Sequence, residues 1–69
     1  MPKASDLTPR EIQVLKLLAQ GKQAQEIAGL LGITKRTVDA HTHAVITKLG
    51  AVNTPQAVAI AIQQGLITL

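Results

Sequence analysis

The sequence predicts an all-α fold, a four-helix bundle, and three observations carry that expectation. Apolar residues recur at three- and four-residue spacing in four separate segments, as they do in helices with one buried face. Start and stop signals punctuate those segments: Thr8-Pro9, Thr34 and Thr54-Pro55 at starts, and Gly21, Gly32, Gly50 and Gly65 at ends. No segment shows the apolar–polar alternation of a half-buried strand.

The first helix opens at Leu7-Thr8-Pro9-Arg10-Glu11-Ile12. Thr8 is the expected N-cap, and Pro9 takes the first helical position, where a missing N–H costs nothing. Glu11 completes a capping box with Thr8, and Leu7 staples onto Ile12. Val14, Leu15 and Leu18 centre the apolar stripe, with Gln13, Lys16 and Gln20 opposite. The second helix runs from Gln23 to Leu31, with Ala24, Ile27, Leu30 and Leu31 as its stripe. Gln23 is a weak cap and Gly29 lies in the interior, so this helix depends on its neighbours. The third helix takes Thr34 as cap and Ile33–Val38 as staple, and closes at Gly50. A short Gly-containing connection before it favours a large angle between helices two and three, as in a helix-turn-helix. Thr54 caps a fourth helix from Pro55 to Gln64. Ala57, Val58, Ala61 and Ile62 form its core face, and Leu66 and Ile67 fold back onto the bundle.

Composition narrows the function. The 69 residues contain no Cys, Phe, Tyr or Trp, so the core is aliphatic and thiolate metal sites are excluded. Base stacking on aromatic side chains, the usual device for single strands and RNA loops, is also excluded. The net charge of +3 is mildly basic, compatible with nucleic acid or with plain solubility. With no run of membrane-spanning length and no signal-peptide pattern, the expected location is cytoplasmic. The four carboxylates are dispersed, there is one Ser, and no Gly-rich loop follows a strand, so an enzyme is not expected and no cofactor is implied. Residues 1–6 carry no periodic pattern and read as a flexible linker; residues 7–69 form the domain.

The third helix has two unlike faces. Val38, His41, Thr42, Val45 and Leu49 fall on one stripe at about 100° per residue. Arg36, Ala40, His43 and Thr47 fall opposite, with Asp39 at the margin. That second face is short, polar and flat enough to lie in a DNA major groove. His41 lies on the buried stripe and reads as a hydrogen-bonded packing residue. It points about 200° from His43, so the two cannot share a metal.

Taken together, these pieces resemble the LuxR-type (GerE-like) helix-turn-helix family. The matching pieces are Leu7-Thr8-Pro9-Arg10-Glu11, Val14-Leu15, Leu18-Ala19-Gln20-Gly21, Glu26-Ile27-Ala28 and Leu31-Gly32-Ile33. Arg36-Thr37-Val38, His41, Lys48-Leu49-Gly50, Asn53, Gln56-Ala57-Val58-Ala59 and Gly65-Leu66-Ile67 complete the set, over about residues 7 to 67. Each piece is weak alone; the ordered set is specific. Gly21-Lys22 and Gly50-Ala51-Val52-Asn53 look most like the DNA-binding ends of quorum-sensing receptors. The resemblance implies sequence-specific binding of double-stranded DNA by the third helix (34–49), as the output domain of a bacterial transcriptional regulator. It also implies a palindromic site, a homodimer paired through the fourth helix, and RNA polymerase as a further partner.

The family's base-reading positions map onto Asp39, Ala40 and His43. Many relatives carry Lys or Arg at the first and last of these, and this chain does not. Asp39 repels the phosphate backbone but can accept from a cytosine amino group. His43 can donate to guanine, and Ala40 can touch a thymine methyl. Phosphate positioning is expected from Thr34, Lys35, Arg36 and Thr37 at the helix start, and from Lys22, Gln23 and Lys48. Lys22, Lys35 and Arg36 read equally as solvated surface cations. On the fourth helix, Ile60 among Gln56, Gln63 and Gln64 is an apolar misfit, and Gln56, Ala59, Ile60 and Gln63 are the expected dimer contact. Two other readings of such a fold are a protein-interaction domain derived from a helix-turn-helix and a sigma-like promoter-reading module. The segment Pro55 to Ile67 argues against the second.

Overall fold

Each helix starts where a side-chain oxygen takes up a backbone N–H that the helix itself leaves open. The computed structural model describes residues 6–68, and among them are α1 (Pro9–Ala19), α2 (Ala24–Leu31), α3 (Lys35–Leu49) and α4 (Thr54–Gln63). The linker expected at residues 1–6 therefore lies, apart from Asp6, outside the described residues, as does Leu69. At α1 the capping box is complete: Thr8 Oγ1 accepts from the Glu11 N–H at 3.1 Å, and Glu11 Oε1 accepts from the Thr8 N–H at 2.9 Å. At α2 the Gln23 side chain makes no cap bond of its own. Glu26 Oε1 instead accepts from the Gln23 N–H at 3.1 Å. At α3, Thr34 Oγ1 accepts from the Thr37 N–H at 3.1 Å.

The start of α4 differs from expectation. Asn53, not Thr54, is the N-cap: its Oδ1 accepts from the Gln56 N–H at 2.9 Å, and Thr54 and Pro55 are the first two helical residues. The planar amide of Asn is at least as good a cap as a Thr hydroxyl, and Pro is still accommodated in the first turn.

Two glycines make a matched test. Gly32 closes α2 in the left-handed region at φ 68°, whereas Gly29 sits inside α2; a Cβ at either would meet nothing within 4 Å. Only backbone conformation separates them. Gly32→Ala is expected to lower stability by about 1 kcal/mol and Gly29→Ala to raise it by about as much. In a domain of this size that is roughly 4–8 °C in opposite directions on a thermal melt.

The core has two parts, with α1 as the wall between them. Val14 faces one, packed with Ile27, Ala28 and Val38; its successor Leu15 faces the other, with Leu7, Val45, Ala57, Ala61 and Ile67. Consecutive residues on a helix point about 100° apart, so one turn of α1 serves both. On α3, Val38 enters the first part and Val45, two turns on, enters the second. The third helix is thus pinned at two levels along its length. Ile67 is buried and the Leu66 N–H donates to the Ala61 carbonyl at 2.8 Å, so the C-terminal segment does fold back.

Three side chains depart from their expected faces. Leu30 is 62% exposed, and Ala28 is buried in its place. The small Ala28 lets α2 pack with the stripe centred between Ile27 and Ala28, about 110° from Leu30. Ile62 is 36% exposed and belongs to the outer side of α4, while Ile60, expected outward, is half-buried. Ala57 and Ala61 set the packing direction of that helix, which leaves Ile60 at its flank. Among the described residues no single helix is long and apolar enough to cross a membrane.

Candidate nucleic-acid interface

The outward face of α3 is fully displayed. Arg36, Asp39, Ala40, His43 and Thr47 are all exposed, while Val38 and Val45 on the opposite side are buried. The three residues assigned to base reading therefore share one open surface. His41 is half-buried, and no hydrogen bond is made by its ring among the described residues. Partial exposure lets its nitrogens do without a protein partner, unlike the bonded packing residue expected. Thr42 shields its own hydroxyl by donating to the Val38 carbonyl at 2.9 Å.

The start of α3 displays several hydrogen-bond donors. Thr34 caps the Thr37 N–H, and the two hydroxyls share one further bond at 2.9 Å. Only one hydroxyl proton is used in that bond, so the other is left to donate outward. The N–H groups of Lys35 and Arg36 lie in the first turn beside the capped Thr37 N–H, where the helix carries partial positive charge. Arg36 and Lys22 make no side-chain hydrogen bond or ion pair among the described residues. Gln23 stands nearby in sequence, at the head of α2, and is exposed.

Two of the cations expected on phosphates are already engaged. Lys35 Nζ lies 3.0 Å from Asp39 Oδ2, with the two side chains 62% and 55% exposed. Lys48 Nζ lies 2.8 Å from Glu11 Oε1 and 3.0 Å from the Asp6 carbonyl oxygen. The second pair is internal: the Glu11 side chain is only 7% exposed and that of Lys48 32%. Lys48 is thus a tie between the end of α3 and the start of α1, not a free surface cation. Burial pushes the Glu11 carboxyl up, but hydrogen bonds from Lys48 and from the Thr8 N–H outweigh it and hold the group below its ordinary value.

Neither pair was anticipated. The four-residue spacing of Lys35 and Asp39 was a readable signal of a helix ion pair. Glu11 and Lys48 are 37 positions apart and share no local pattern, so only the packing of α1 on α3 could disclose them.

On α4, Gln56, Ala59 and Gln63 are exposed and lie on one side, with Ile62 beside them. Gln56 is partly occupied, since its Oε1 accepts from the Val52 N–H at 2.6 Å.

The family described as "Bacterial regulatory proteins, luxR family" matches residues 5–61. The HTH-type quorum sensing-dependent transcriptional regulator RpaR of Rhodopseudomonas palustris is 51% identical over 63 residues, covering 91% of this chain and 26% of RpaR. The transcriptional activator protein BjaR1 of Bradyrhizobium diazoefficiens is 49% identical over 61 residues, 88% of this chain and 25% of its own length. The chain thus spans about a quarter of the length of these curated relatives. The solved structure of the transcription factor GerE superposes with a TM-score of 0.87 at 31% identity, covering 90% of this chain and 92% of GerE.

Proposed function

The chain belongs to the luxR family of bacterial regulatory proteins and has its helix-turn-helix fold, and from that premise we propose that it binds double-stranded DNA sequence-specifically, with α3 in the major groove. The observation that carries this reading is the exposed polar face of α3 beside a helix start whose Lys35 and Arg36 N–H groups face outward past the Thr34 cap, both held in place by Val38 and Val45 in separate parts of the core. An aliphatic core with an open face on its longest helix suits a reader that docks a rigid element into a groove.

Roles divide along the helix. Arg36 and Lys22, with the backbone N–H groups and hydroxyls at Thr34 and Thr37 and the amide of Gln23, are the phosphate anchors that set register. Asp39, Ala40 and His43 face base edges. The domain acts as the output part of a transcriptional regulator in the cytoplasm, downstream of a sensor of the quorum-sensing kind and within reach of RNA polymerase. Two copies pair through α4 on a palindromic site, with Gln56, Ala59, Ile60 and Gln63 at the contact and Ile62 extending its apolar part.

Titration against random and selected duplexes over a range of salt tests the reading. Affinity falls steeply with salt, and selection returns half-sites about one helical turn apart. No binding at low salt would sink it. Arg36→Ala weakens all duplexes alike and reduces the slope of log affinity against log salt by about 0.9. His43→Ala leaves that slope nearly unchanged and alters preference at one or two positions. The reverse pattern would exchange their roles.

A further inference from the structure

The Lys35–Asp39 pair changes what either residue can do. Lys35 is the first residue of α3, and phosphate binding would need its ammonium turned out along the helix start. It is turned the other way, along the helix, with Nζ 3.0 Å from Asp39 Oδ2. In this arrangement the Asp39 carboxylate and the Lys35 ammonium are presented side by side. One of the three ammonium donors is used by that contact, and Asp39 Oδ1 makes no bond among the described residues. The pair therefore displays an unused donor next to an unused acceptor.

A G·C base pair shows the complementary pattern in the major groove. Guanine offers the acceptors O6 and N7, and cytosine offers the N4 amino donor. O6 and N4 are hydrogen-bonded to each other at about 2.9 Å, close to the spacing of the protein pair. We propose that Lys35 and Asp39 act as one composite reader of a single G·C pair, Lys35 donating to guanine and Asp39 accepting from cytosine N4. This rests on the DNA-binding reading above.

Three features support it. An isolated Asp39 at a groove floor would be repelled by the phosphates on both sides, and a cation 3.0 Å away removes most of that cost. An A·T pair presents the adenine amino donor beside the thymine O4 acceptor, flanked by the thymine methyl, so its edge is a poorer match to the pair. Ala40 follows directly and has no side chain beyond Cβ, so the helix can approach closely enough for a short Asp to reach a base edge.

The test is binding-site selection from randomised duplexes with the 69-residue chain and with Lys35→Gln, Asp39→Asn and the double variant. Both side chains are more than half exposed, so the fold is expected to persist, checked by helical circular dichroism. The chain selects G·C at one position of each half-site. Either single variant lowers that preference about tenfold at the same position, and the double variant loses no more than either single one. A Lys35→Gln effect that is equal across all sequences would make Lys35 a phosphate anchor and overturn the composite reader alone. Single variants that relax different positions would overturn it too. Absence of binding by the unaltered chain would overturn the DNA-binding reading and this inference with it.

Discussion

Leu15→Ala is expected to remove about 3–4 kcal/mol of stability, the largest effect of any single truncation in this domain. Leu15 is fully buried and contacts the part of the core built from Leu7, Val45, Ala57, Ala61 and Ile67. The two α4 residues fully buried in this cluster, Ala57 and Ala61, are too small to fill the void left by the lost isobutyl group. A domain of 69 residues has about 3–10 kcal/mol in total, so the variant stands near its unfolding threshold at room temperature. Urea or thermal denaturation measures the change directly. The loss also reaches function, because Val45 of α3 packs in the same cluster. DNA binding is expected to weaken in step with the folded fraction, without a change in base preference. A loss below 1 kcal/mol would show that the cluster is less tightly packed than its burial implies.

Lys48→Met is expected to cost about 2 kcal/mol at neutral pH. The substitution keeps the aliphatic stem and removes the charge, leaving the nearly buried Glu11 carboxylate with only the Thr8 N–H and its neighbouring cap bonds. The figure is set below that of a fully buried pair because Lys48 is about one-third exposed and partly screened. The pH dependence has a definite sign. In the unaltered chain the Glu11 carboxyl is held below its ordinary value, so the stabilisation it supplies is complete above the unfolded-state value of about 4.3. It is lost as pH falls through the lower, folded value. In Lys48→Met the chief cause of that lowering is gone and burial acts upward against the Thr8 hydrogen bonds alone, so the penalty is largest at neutral pH and shrinks as Glu11 takes up a proton. Stability curves of both proteins from pH 3 to pH 7 measure this; a penalty independent of pH would mean that Lys48 acts by packing alone. Glu11→Gln combined with Lys48→Met recovers much of the loss, since Gln keeps the capping box and no bare charge remains.

The Lys48–Glu11 tie also bears on how α3 is aimed. Val38 and Val45 fix its buried side, but two apolar contacts permit some rotation about the line joining them. An ion pair from the last turn of α3 to the first turn of α1 adds a third, directional constraint. A groove-reading helix benefits from such a constraint, because small rotations move Asp39 and His43 relative to base edges.

Much of this domain is written locally. Thr8, Pro9 and Glu11 fix the start of α1 within a few residues, and Thr34 and Gly50 bound α3, since capping and left-handed closure are decided by side chains within one turn. The polar face of α3 follows from helical periodicity alone, and the family resemblance singles out Asp39, Ala40 and His43 on it as candidate readers. The cap of α4 lies one residue before the sequence places it, because Asn53 and Thr54 are adjacent competent caps and only the loop path decides between them. Facing of the helices also lay beyond the sequence. Leu30, Ala28, Ile60 and Ile62 are apolar and regularly spaced, so periodicity admits several stripe centres. The choice among them was made by close approach at small residues, Ala28 on α2 and Ala57 and Ala61 on α4. The partners of the charged groups depended on the tertiary structure most of all. Lys35 and Lys48 look alike in sequence as cations near the ends of one helix. Packing of α1 against α3 turns Lys48 inward to a buried carboxylate 37 positions away, while Lys35 stays on the surface beside Asp39, because charge finds its partner through space and local pattern records only the nearest turn.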